Sequence, residues 1–110
     1  MNFKVETLPN FEREAKRLSK KYKSLKSDLS AFILSLELNP QQGTPIGAGF
    51  YKVRMAIKSK GKGKSGGARV ITFLKVIKAT VCLTSIYDKS EKSTITDQEL
   101  MFLAKEINTK

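Results

Sequence analysis

Near the amino terminus apolar Phe3 and Val5 alternate with polar Lys4 and Glu6, a period of two that predicts a short strand over residues 2–7. Pro9 then interrupts the chain. Phe11, Ala15, Leu18 and Tyr22 recur at spacings of four, three and four, the stripe of an amphipathic helix. Glu12 and Glu14 in its first turn and Lys20 and Lys21 in its last suit the helix dipole. After a break at Lys23 and Ser24, the residues Leu25, Leu29, Phe32, Ile33 and Leu36 repeat the stripe. Asn39 and Pro40 end it, because a residue before proline avoids the α region. So short a connection predicts an antiparallel helical hairpin.

Residues 41–49, with three Gly and one Pro, read as a loop. From Phe50 the period returns to two. Tyr51, Val53, Met55 and Ile57 point one way, and Phe50, Lys52, Arg54, Ala56 and Lys58 the other, so one face is core and the other cationic. Residues 59–67 hold four Gly and three Lys, the mobile tip of a hairpin that returns along the β-branched run 68–77. A turn near Lys78 and Ala79 leads to a third strand over residues 80–87. Thr96-Asp97-Gln98-Glu99 is a capping box, and Leu100, Leu103, Ala104 and Ile107 then line one face of a C-terminal helix. The order β-α-α-β-β-β-α predicts one α+β domain over residues 1–110, with its helices on one face of a mostly antiparallel sheet.

Charge sharpens this picture. The net charge is +11, and between Glu37 and Asp88 there are nine Lys or Arg and no acid. A field of one sign concentrates anions, and a phosphate backbone is the commonest macromolecular anion in the cytosol. No amphipathic helix carries these lysines, which argues against a membrane surface. The start lacks the basic and apolar segments of a secretory signal, and no run of about 18 apolar residues occurs. A cytoplasmic protein is expected. The single cysteine, Cys82, lies in an apolar run; it excludes an intrachain disulfide and is expected to be a buried thiol.

With no histidine in the chain, the usual general base is missing, and one Cys cannot build a zinc site. No metal or other cofactor is expected. The Lys-Gly tip also lacks the spacing of a nucleotide-binding phosphate loop. What remains is a strand carrying Lys52, Arg54 and Lys58, a tip carrying Lys60, Lys62 and Lys64, Arg69 at the start of the next strand, and Tyr87 and Lys89 at the end of the third. Such groups are able to cleave RNA without metal. The 2′-hydroxyl attacks the adjacent phosphorus, cations stabilise the phosphoryl oxygens, and Lys or Tyr moves protons. The same surface also suits phosphate gripping without catalysis, and Tyr87 equally suits a core aromatic. Simple alternation places Tyr87 with Val81 and Leu83, on the core side.

The chain resembles the RelE/ParE superfamily of toxin-antitoxin toxins, in particular its HigB-like branch. Phe11, Leu18, Asn39-Pro40, Tyr51-Lys52-Val53-Arg54, the Lys-Gly tip with Gly66-Gly67-Ala68-Arg69-Val70-Ile71, and Ile86-Tyr87-Asp88-Lys89 carry the likeness over nearly the whole length. The resemblance implies two N-terminal helices on a curved, mostly antiparallel sheet with a C-terminal helix. It also implies an mRNA endonuclease acting within the 70S ribosome, with Lys52, Arg54, Arg69, Tyr87 and Lys89 as catalytic residues. Lys58, Lys60, Lys62 and Lys64 would be RNA or ribosome contacts. A helix-turn-helix, HigA-like antitoxin would cover the toxin, and DNA would be reached only through that complex. The superfamily also contains gyrase-inhibiting ParE-like proteins, and a module that stalls translation without cutting is a third reading. Relatives with a catalytic tyrosine in a C-terminal segment have no counterpart here, since the last helix contains none.

Overall fold

The computed structural model describes residues 2–108. A strand β1 (Lys4–Thr7) leads into helices α1 (Pro9–Lys21) and α2 (Leu25–Leu38). Strands β2 (Thr44–Gly47), β3 (Phe50–Met55), β4 (Ala68–Lys75) and β5 (Thr80–Asp88) follow, and helix α3 (Asp97–Asn108) ends the chain. They form one five-stranded sheet in the order β1-β5-β4-β3-β2, antiparallel except for the parallel pair of β1 with β5. This is the expected α+β class.

Pro9 opens α1 rather than merely preceding it: at the first helical position its missing N–H costs nothing. Phe11 and Leu18 of α1 and Leu25, Phe32 and Leu36 of α2 pack on Val53, Met55, Val70, Val81, Leu83 and Ile86 of the sheet. The capping box forms as expected. The Glu99 amide donates to Thr96 Oγ1 at 3.1 Å, and the Thr96 amide to Glu99 Oε1 at 2.9 Å.

Three expectations need correction. The helices do not share one sheet face. Leu103 and Ile107 of α3 pack in a second cluster with Leu8, Phe50, Ile71, Cys82 and Tyr87, on the side opposite α1 and α2. Residues 41–49 are not all loop, because β2 pairs with β3 there; its Pro45 is tolerated on an edge strand, where one row of backbone groups faces solvent. Finally, β3 stops at Met55 and β4 at Lys75, so Val76 and Ile77 are exposed in the turn, and Lys58 starts a short 3-10 helix, Lys58–Lys60.

β5 contains the irregularity that matters most. Ile71 pairs with Ser85 but Thr72 pairs with Leu83, so Thr84 is an extra residue. Such a bulge shifts the alternation by one. Val81 and Leu83 face the helical hairpin, as does Ile86, while Cys82 and Tyr87 face α3.

Candidate functional site

Register brings the cations together. Arg54 of β3 pairs with Arg69 of β4, which pairs with Tyr87 of β5, in one row across three strands. Lys52 lies two residues along β3 on the same face. With Lys64 from the glycine-rich tip and Lys89 from just beyond β5, these side chains line an open pocket of about 490 Å³. Gly43 forms part of its wall. Its φ is +90°, and a Cβ there would stand 2.4 Å from the Lys52 carbonyl oxygen, so only glycine lets the two backbones approach.

The charge of the pocket is unopposed. None of Lys52, Arg54, Lys64, Arg69 and Lys89 forms an ion pair among the described residues. Like charges directly opposite each other on adjacent strands are destabilising, so the Arg54–Arg69 pair costs stability until an anion settles between the two. Arg69 is only 5 % exposed. Its guanidinium donates to the carbonyls of Lys64 at 3.1 Å, Ala68 at 3.2 Å and Ser65 at 3.2 Å. It therefore fixes the end of the tip as well as charging the pocket. Lys89 Nζ donates to the Ser93 carbonyl at 3.0 Å.

The glycine-rich composition predicts a mobile tip, whereas its base is stitched to the body. Asp28 of α2 accepts from the Lys58 amide at 3.1 Å, and Ser24 Oγ accepts from the Ser59 amide at 2.8 Å. Lys60 is turned inward: its Nζ is 2.6 Å from Asp88, and the two side chains are 10 % and 0 % exposed. Tyr22 donates its hydroxyl to the same carboxylate, and the Ser90 amide and hydroxyl donate at 3.0 and 2.8 Å. Burial alone would raise the Asp88 pKa, but Lys60, Tyr22 and Ser90 outweigh it and hold the carboxyl well below its usual range. Lys58, in the 3-10 turn, is not part of the Lys52–Arg54 row, although it is exposed. Lys62 stands exposed on the tip beside Lys64.

Tyr87 does not follow simple alternation. The bulge moves it off the hairpin face and into the arginine row, yet α3 and the segment before it cover the ring, which is 4 % exposed. Lys92 Nζ lies 5.1 Å from the ring centroid. Thr94 and the Ile95 backbone stand near the hydroxyl, but it makes no hydrogen bond among the described residues. Burial raises the phenol above its ordinary value, and the nearby charge of Arg69 offsets only part of this. The Tyr87 ring thus lies behind the residues that line the pocket.

Asn10 and Glu14 of α1, which no local sequence pattern marks, hydrogen-bond to the backbone of Thr84 and Ile86 at the bulge. No group of three His, Cys, Asp or Glu side chains suited to a metal converges among the described residues.

A family model described as the RelE toxin of the RelE / RelB toxin-antitoxin system matches residues 9–109. The chain belongs to the RelE toxin family. Solved structures agree in fold. A free-state double arginine-to-alanine mutant of the E. coli RelE toxin superposes with a TM-score of 0.65 at 14% identity, covering 97% of this chain and 99% of that one. The RelBE2 toxin-antitoxin complex of Mycobacterium tuberculosis matches with a TM-score of 0.62 at 17% identity, over 80% of this chain and 99% of that chain. The isolated E. coli RelE toxin gives 0.58 at 13% identity, over 96% and 98%. As a RelE-family toxin, the protein is one half of a toxin-antitoxin system. No helix among the described residues is long and apolar enough to cross a membrane.

Proposed function

We propose that this RelE-family protein is a ribosome-dependent mRNA endonuclease that arrests translation in the cytoplasm. The observation that carries the reading is the Arg54–Arg69 pair, set between Lys52, Lys64 and Lys89 with no acid to neutralise it. A scissile phosphate meets the need of that pair. Planar guanidinium groups bind phosphoryl oxygens through paired N–H groups and stabilise the charge that builds as the 2′-hydroxyl attacks. Lys52 and Lys89, at the pocket wall, are the groups placed to move protons, since the Tyr87 hydroxyl is enclosed. Lys58 and Lys62, exposed next to the site, would contact RNA or ribosome.

The enclosure of Tyr87 favours one second reading, a module that grips ribosome-bound mRNA and stalls translation without cutting. A gyrase-inhibiting role finds no such support. The HigB-like branch and a helix-turn-helix, HigA-like antitoxin remain part of the proposal, with DNA reached through that complex; exposed Met101 and Phe102 on α3 and Leu34 and Leu38 on α2 are apolar surface for a partner to cover. Purified protein added to ribosomes programmed with a defined mRNA should generate new 5′ ends within translated codons, and none on free mRNA. Stalled ribosomes on intact mRNA would establish the second reading instead.

A further inference from the structure

The bulge in β5 decides which charge enters the pocket. With the extra Thr84, Asp88 turns toward the helical hairpin, where it meets Tyr22 and Lys60, and Lys89 turns toward Arg69. Unbroken alternation from Val81 and Leu83 would do the reverse, delivering the Asp88 carboxylate beside Arg54 and Arg69 and sending Lys89 into the hairpin core. A bulge leaves backbone groups unpaired, and here α1 satisfies groups on the β5 edge, just past the last β1 pair, Thr7 with Leu83. Asn10 Nδ2 donates to the Thr84 carbonyl at 3.0 Å and to Glu14 Oε1 at 3.0 Å. Glu14 Oε1 also accepts from the Ile86 amide at 3.1 Å and the Ser85 hydroxyl at 2.8 Å. Thr84 closes the knot by donating its hydroxyl to the Ile71 carbonyl at 2.7 Å.

We infer that Glu14 and Asn10 are positioning residues: they never touch the ligand, but by holding the Thr84 bulge they set the pocket's charge, Lys89 in and Asp88 out. This rests on the proposed RNA-binding function of the pocket. Glu14 is the more telling member, because one carboxylate oxygen gathers three donors at the point where the alternation changes.

The test compares Glu14→Ala, Glu14→Gln and Lys89→Ala by the salt dependence of binding to a single-stranded oligoribonucleotide. Loss of one phosphate contact reduces the log–log slope by ~0.7. Glu14→Ala should lose that contact as Lys89→Ala does, the double variant should lose no more than either, and Glu14→Gln, which keeps an acceptor for Ile86, should bind like the parent. Native Glu14→Ala with an unchanged slope, or additive losses in the double variant, would overturn the inference. Amide exchange at Ile86 reads the bulge without RNA: protection should vanish in Glu14→Ala and persist in Glu14→Gln, and equal protection in both would also overturn it. A parent chain that bound no RNA would refute the proposed function, and the exchange measurement would still decide the role of Glu14. Should Glu14→Ala fail to fold, Asn10→Ala takes its place, with the same loss of slope expected and an unchanged slope counting against the inference.

Discussion

Replacing Asp88 with Asn removes the charge around which the base of the basic tip is built. The Asp88 side chain has no exposure, and its partner Lys60 is left 10 % exposed with its ammonium 2.6 Å from a neutral amide. Removing one member of a buried pair costs about 3–5 kcal/mol, because the other charge stays buried without compensation. For a domain of this size each kcal/mol lowers Tm by about 4–8 °C, so a fall of roughly 12 °C or more is expected. Thermal and urea unfolding followed by circular dichroism measure it. Lys60→Met should cost a similar amount, and the double variant less than the sum. The pH dependence adds a second reading. Since folding depresses the Asp88 pKa below its unfolded value of 3.8, the stabilisation is complete above that value and is lost as the pH falls toward the folded value. Asp88→Asn should therefore flatten the acid limb of the stability curve. A Tm within about 3 °C of the parent, with an unchanged acid limb, would refute the buried-pair account.

Arg54→Ala should weaken RNA binding while leaving Tm unchanged or raised, because Arg54 is exposed and its removal relieves the repulsion with Arg69. Arg69→Ala should weaken binding and also destabilise the fold by about 1–3 kcal/mol, through the loss of its three hydrogen bonds to backbone carbonyls. Tyr87→Phe removes a buried hydroxyl that makes no hydrogen bond among the described residues, so stability should hold or rise, and cleavage by the variant should stay within a few-fold of the parent. Thr96→Ala breaks one half of the capping box and should cost about 0.5–2 kcal/mol in thermal unfolding.

Much of this molecule is legible along the chain because it is encoded locally. The helical stripes, the capping box of α3 and the alternation that puts Lys52 and Arg54 on one face each depend on residues a few positions apart. β2 escapes such reading because its four residues include Pro45 and Gly47, and only pairing with β3 makes them a strand. The position of Tyr87 and the direction of Lys89 depend on a one-residue shift held by Asn10 and Glu14, more than seventy positions away, and no local pattern announces it. Lys60 is a similar case. Its neighbours Gly61 and Lys62 suggest a solvated loop, but Asp88 supplies a buried partner that only the fold brings near.

In the proposed function, the acid-free pocket built on Lys52, Arg54 and Arg69 cuts mRNA during translation. Mapping transcript 5′ ends in a bacterium expressing the chain, beside a Lys52→Ala/Arg54→Ala variant whose folding is verified by its Tm, tests it most directly. Cuts within translated codons should appear with the parent chain and disappear with the variant. Growth arrest without new 5′ ends, or cuts that persist undiminished in the variant, would contradict it.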